Sequence, residues 1–166
     1  MVTWGTSPQD VVSITDIVPD PEKEKDLDKK KYNLKNKIAL VTGAGKGLGR
    51  ACASGLAREG ANVAICSRNG EVLSREAVNL SQETGSEVIA IQGDLSKEED
   101  IKNLINATIN HFGRLDILIN NSGGQKGGPI SEADSSEFIE SFNRHLICNH
   151  VITQALLDGM KSFLTI

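Results

Sequence analysis

A doubly wound α/β fold, in which helices cover both faces of a parallel sheet, is what the 166-residue sequence predicts. Three observations lead there. After Leu34 the apolar pattern switches at regular intervals between continuous runs and three-and-four spacing. The continuous runs have no polar face, as strands buried on both sides require. "VTGAGKGLGR", from Val41 to Arg50, places four glycines within seven positions, between the first run and the first helix-like stretch.

The elements follow in order. Lys37 to Thr42 reads as a first strand, and Leu48 to Glu59 as a helix with Leu48, Ala51, Cys52 and Leu56 on one face, stopped at Gly60. Asn62 to Cys66 is a second strand, Glu71 to Thr84 a second helix closed by Gly85, and Glu87 to Gln92 a third strand. Ser96-Lys97-Glu98-Glu99 has capping-box spacing, with the serine positioned to cap the next helix. Ile101, Leu104, Ile105, Thr108, Ile109 and Phe112 mark the apolar face of that helix, and Gly113 ends it. Leu115 to Ile119 is a fourth strand. Past a glycine-rich loop, a long helix is expected from about Ser136 to Met160, opened by a second capping-box pattern at Asp134 to Glu137.

The first 31 residues read differently. They lack apolar periodicity over most of their length and end in "DPEKEKDLDKKK", a charged run that buries too little to offset its chain entropy. Residues 1–31 are therefore expected to form a flexible extension and 32–166 the folded domain. The patch "DVVSITDIV", Asp10 to Val18, is the one stretch there able to act as a docking strand. No apolar run reaches the ~18 residues of a membrane span, and the N-terminus has no secretory pattern, so a cytoplasmic protein is expected. A net charge of -4 with scattered basic residues offers no footprint for nucleic acid. Cys52, Cys66 and Cys148 lack CxxC spacing and are expected to be free, buried thiols. His111, His145 and His150 have no metal-binding spacing.

In a doubly wound sheet the turn from the first strand into the first helix lies at the carboxyl edge, where ligands bind. A helix beginning there presents free amides and the positive end of its dipole, which suits a pyrophosphate. Glycines at 43, 45, 47 and 49 allow a ligand close to that backbone and the helix close to the strand. An NAD site would place a carboxylate at the end of the second strand. Here that position is Ser67, followed by Arg68, and Lys46 stands in the glycine loop. Two cations and a hydroxyl favour a 2'-phosphate, hence NADP(H) over NAD(H).

The spacing Thr42-Gly43-x-x-x-Gly47-x-Gly49 resembles that of the short-chain dehydrogenase/reductase family, and three further stretches agree in order. "GDLS", Gly93 to Ser96, is similar to the segment whose aspartate, here Asp94, holds the adenine in that family. "NNSGG", Asn120 to Gly124, is similar to the family's NNAG, with Ser122 in place of alanine. "TQALLDGM", Thr153 to Met160, resembles the end of a long helix at the subunit interface. The resemblance covers Leu34 to about Lys161. It implies a Rossmann-type sheet in the order 3-2-1-4 and a homo-oligomer through the helix 136–160. It also implies a cofactor site built from Thr42, Gly43, Gly45, Lys46, Gly47, Leu48, Gly49, Ser67, Arg68, Asp94, Leu95, Asn120, Ser122 and Gly123.

Hydride transfer in this family uses a tyrosine, a lysine four residues on and an upstream serine, all beyond the fourth strand. The one tyrosine here is Tyr32, before the first strand, and the chain ends in "KSFLTI" where a fifth strand is expected to begin. The family asparagine that bends the long helix aligns with His145, a residue able to bind water or carry protons. No other catalytic residue is assigned. The glycine-rich loop Gly123 to Pro129 is similar to that of 3-oxoacyl reductases. The expectation is therefore the cofactor-binding part of a reductase, truncated before its catalytic segment and inactive alone, whose full-length form takes a small carbonyl or alcohol substrate. A non-catalytic nucleotide-binding or interaction module that pairs with a full-length relative is the alternative, and a product unable to fold alone is a third reading.

Overall fold

The computed structural model describes residues 32–122, 130–132 and 134–161. The chain divides after Tyr32, and Asn33–Ile166 forms one compact unit. The extension at residues 1–31, the loop Gly123 to Pro129 and the segment Phe163 to Ile166 lie outside the described residues.

Ile38–Val41 forms β1, Asn62–Ser67 β2, Val88–Gln92 β3 and Ile117–Ile119 β4. They pair in parallel in the order β3-β2-β1-β4, as the sequence predicts. Because side chains alternate along a strand, β1 divides the core in two. Ala39 and Val41 pack with Val63 and Ile65 on one face, while Ile38 and Leu40 pack with Ala64 and Cys66 on the other.

The first face is covered by α1, Gly47–Arg58, and α2, Gly70–Thr84, through Ala53, Ala57, Leu73, Ala77 and Leu80. The second is covered by α3, Glu98–Phe112, through Ile101 and Leu104, and by α5, Cys148–Lys161, through Cys148, Ile152 and Leu156. Val88 at the start of β3 is buried, whereas all three residues of β4 are only half-buried. In the described residues β4 is the sheet's edge on the side where β3 is its counterpart.

Three local expectations are corrected. The buried face of α1 is Gly49, Ala53, Ser54 and Ala57, with Leu56 half-buried, while Leu48, Ala51 and Cys52 face out. Close packing on the sheet selects the smallest side chains over the larger apolar ones, and Cys52 is exposed where a buried thiol was expected. Ser96 does not cap α3, whose N-cap is Lys97 without a side-chain bond. Its hydroxyl instead donates to Asp94 Oδ1 at 2.9 Å, occupied by the turn that precedes the helix. The long helix is interrupted: α4, Ser135–Phe142, passes into a π-helical turn, Asn143–Ile147, before α5. Asn149 Nδ2 donates to the carbonyl of His145 at 2.8 Å, so a side chain satisfies one backbone acceptor where the regular ladder is disturbed. The expected cap at its start is present, since Asp134 Oδ1 accepts from the amide of Ser136 at 2.7 Å.

Candidate functional site

The glycine loop leaves β1 under constraint from both neighbouring strands. Ala44 N donates to the carbonyl of Cys66 at the end of β2, 2.9 Å away, and Thr42 N donates to that of Ile119 at the end of β4, 3.1 Å away. The Thr42 hydroxyl accepts from Asn121 N at 2.9 Å and donates to Asn121 O at 2.8 Å. Asn121 Nδ2 donates in turn to the carbonyls of Thr42 and Gly43, at 3.2 and 3.1 Å. A Cβ at Gly43, where φ is +60°, would lie 2.6 Å from this asparagine. One at Gly49 would collide with the Gly43 carbonyl. These two glycines therefore serve packing of the loop, whereas a Cβ at Gly47 would meet nothing within 4 Å.

The loop ends at a helix N-terminus that the protein does not satisfy with side chains. Lys46, the N-cap of α1, makes no side-chain cap bond, and the first turn holds no acidic residue. The amides of that turn, with the positive end of the helix dipole, face the loop.

A cleft of about 610 Å³ lies along the carboxyl edge of the sheet. Its walls are Gly43 and Gly45–Leu48 of the loop and the start of α1, Cys66–Asn69 at the end of β2, and Gly93–Leu95 after β3; Asn121 and Ser122 after β4, Val72 of α2 and Arg144 of the π turn complete them. Lys46 and Arg68 are exposed cations, and Arg144 is half-buried. Among the described residues Asp94 is the one carboxylate on the wall. Burial alone would raise its carboxyl, but the Ser96 amide and hydroxyl, with Arg68 and Lys97, outweigh that and hold it below the usual range. Burial, with Asp100 and Asp94 nearby, pushes the Cys66 thiol up to about 12, so it stays neutral.

Most residues singled out from the sequence meet on this cleft: Gly43, Gly45, Lys46, Gly47, Leu48, Ser67, Arg68, Asp94, Leu95 and Ser122 all line it. Three stand behind it. Thr42 is fully buried, Gly49 is packed under Gly43, and Asn120 Nδ2 donates to Thr153 Oγ1 of α5 at 3.2 Å. Gly123 lies outside the described residues. Sequence reasoning missed Asn121 and Arg144. The doubled asparagine was a usable signal, because consecutive residues leaving a strand point to opposite sides, one toward α5 and one toward the glycine loop. Arg144 had no such signal. His145, its neighbour, shares a hydrogen bond between Nδ1 and Ser122 Oγ, which joins the π turn to the end of β4.

Comparison with known proteins agrees with this architecture. The short chain dehydrogenase family profile matches residues 37–163. Hydroxynaphthalene reductase arp2 of Aspergillus fumigatus is 44% identical over 128 residues, covering 77% of this chain and 47% of its own length. The hydroxynaphthalene reductase-like protein of Metarhizium guizhouense is 35% identical over 122 residues, covering 74% and 46%. The chain thus spans about half the length of these curated relatives. By contrast, the match to the short-chain dehydrogenase/reductase homolog YusS of Bacillus subtilis, 38% identical over 104 residues, covers 63% of this chain and 95% of that protein. Among solved structures, L-sorbose reductase of Gluconobacter frateurii, complexed with NADPH and L-sorbose, superposes with a TM-score of 0.76 at 26% identity, over 80% of this chain and 51% of that one. With a family match over most of its folded unit and the family's sheet order and glycine turn in place, the chain belongs to the short chain dehydrogenase family.

Proposed function

We propose that this chain is the NADP(H)-binding part of a reductase that, as a whole protein, transfers hydride between the nicotinamide and a carbonyl or alcohol substrate. The observation that carries the reading is the bare N-terminus of α1, open to the cleft beside Lys46 and Arg68. The residues fit the cofactor. The loop amides and dipole suit the pyrophosphate, Ser67, Arg68 and Lys46 suit a 2'-phosphate, and Asp94 with Leu95 suits the adenine edge. The bound cofactor would supply the hydride, while these residues bind and orient it. Thr42 and Gly49 act from behind the wall, holding the loop against the end of β4, while Asn120 ties that end to α5 and Gly123 belongs to the site through the NNSGG motif.

The relatives' names favour a hydroxynaphthalene-type carbonyl as the whole protein's substrate over the 3-oxoacyl class suggested by the glycine-rich loop. An apolar stripe left exposed on α4 and α5, with Phe138, Ile139, Phe142 and Leu157, supports self-association through these helices. A second reading, a short binding module without chemistry, is favoured by the match that covers 95% of YusS.

Titration of the chain with NADPH and NADH tests the main reading. NADPH is expected to bind at least about tenfold tighter, ~1.4 kcal/mol, and Arg68→Asp to reverse the preference. Equal or tighter binding of NADH would overturn the cofactor assignment.

A further inference from the structure

Arg144 is placed on the cleft by an arrangement that begins at the glycine loop itself. Asn121 clamps the carbonyls of Thr42 and Gly43. The next residue, Ser122, is bonded to His145 in the π turn, and Arg144 is the residue before it. Two hydrogen-bonded steps thus tie the backbone of Arg144 to the loop over α1. The π turn breaks the helical repeat at this point, so that Arg144 lines the cleft while its neighbour His145 reaches Ser122. The guanidinium is also paired with Glu140 one turn earlier, and this carboxylate is largely exposed, with 64% of its side chain accessible. An exposed pair of this kind is weak. A guanidinium fork has five donors, so the pairing leaves it able to take a second anion.

Along the cleft the cations stand apart. Arg68 follows β2, on the side of Asp94, whereas Arg144 stands with Asn121 and Ser122 on the β4 side. Between them lies the bare N-terminus of α1. We propose that Arg144 is a further cofactor-binding residue, an anion contact that reaches across to the pyrophosphate of the dinucleotide, opposite the α1 amides. The two charged oxygen groups of the bridge are then held from both sides, by backbone N–H on one and a charged fork on the other. This rests on the cofactor reading above. The role is distinct from that of Arg68, which faces the adenosine end, and from an arginine that only pins α4 through Glu140.

Binding to the full chain tests it, with NADPH as one probe and adenosine 2'-monophosphate, which keeps the 2'-phosphate but has neither phosphate of the bridge nor the nicotinamide half, as the other. Arg144→Gln is expected to weaken NADPH about tenfold and to change the 2'-monophosphate less than about twofold. Arg68→Gln is expected to weaken both. Glu140→Gln, which releases the fork, is expected to leave NADPH binding equal or tighter. Thermal melts of all variants report folding, and Arg144→Lys, which keeps charge but loses the fork, is expected to fall between wild type and Arg144→Gln if the glutamine variant is poorly folded. Unchanged NADPH affinity in Arg144→Gln, with the Arg68→Gln loss retained, would overturn the assignment and leave the cofactor reading intact. Equal loss of both probes would also overturn it, because the effect would then be one of overall charge. Failure of the wild-type chain to bind NADPH would remove both proposals together.

Discussion

The N-terminus of α1 and those of α2, α3 and α4 solve the same electrostatic problem in opposite ways. Asn69 accepts from the amide of Val72 at 3.0 Å and Glu71 follows in the first turn of α2. Glu98, Glu99 and Asp100 fill the first turn of α3, and α4 has Asp134 as its cap with Glu137 behind it. Each of these ends is neutralised by the chain itself. In α1, Lys46 caps with backbone alone, glycine and leucine follow, and no carboxylate lies in the first turn. The difference teaches where an anion is expected: among these four helix starts, at the one with neither a side-chain cap nor a first-turn carboxylate, which opens onto the cleft.

The largest effect expected from breaking this arrangement comes from its packing. Gly49→Val places a branched side chain against the Gly43 carbonyl and the Asn121 amide. A loss of roughly 3 kcal/mol is expected, seen as a lower urea midpoint, and the loop should lose its ligand geometry with it. An unfolding free energy within about 0.5 kcal/mol of wild type would mean that α1 moves off the sheet at little cost.

Making α1 resemble the other helices is the sharper test. Leu48 is 79% exposed, so Leu48→Asp adds a carboxylate to the first turn without disturbing the core. Helix stability is expected to rise by ~0.3–1 kcal/mol, while NADPH affinity falls about thirtyfold, ~2 kcal/mol, as the new charge occupies the anion's place. Retained affinity would show that the ligand's charge sits elsewhere.

A smaller effect follows from two carboxylates near strand ends, Asp116 and Asp94. Asp116 accepts from Ile38 N at 2.9 Å and pairs with Lys37 and Arg114, linking the start of β4 to β1. Burial raises its carboxyl, but Arg114, the Ile38 amide and Lys37 outweigh that and hold it below the usual range, as Ser96 and Arg68 do for Asp94. The unfolded carboxylates, with pKa of about 3.9, therefore take up protons before the folded ones as the pH drops. Their stabilisation is complete above that value and is lost as the pH falls through the depressed folded values. Urea unfolding between pH 6 and 3 is expected to show this decline, and Asp116→Asn to flatten it. An unchanged slope in the variant would place the acid sensitivity in other groups.

Two asparagines show how much of the site was legible. The repeated "NN" marks the end of β4, and the sequence points to Asn120; in the structure Asn121 lines the cleft and clamps the loop, while Asn120 bonds Thr153 of α5. Sequence spacing tells that a strand has ended; which of two adjacent side chains turns toward the ligand depends on the exit angle of the chain. The α1 face was misread for a related reason. Apolar periodicity ranks Leu48 and Cys52 above Gly49 and Ala53, but close helix-on-sheet contact selects for smallness.

The sequence by itself determined the alternation of strands and helices and the glycine turn between the first of each, and its family resemblance implied the order of the sheet. Period and chirality allow few parallel arrangements of such a pattern. It also set the charge character of the cleft, because Lys46, Arg68 and Asp94 sit at strand ends that must converge there. Only the tertiary structure decided that Gly43 and Gly49 serve packing, that the long helix is broken at His145, and that Arg144 joins the cleft from a distant segment. Those outcomes depend on contacts between residues far apart in the chain, whose energies exceed the local preferences that sequence patterns record.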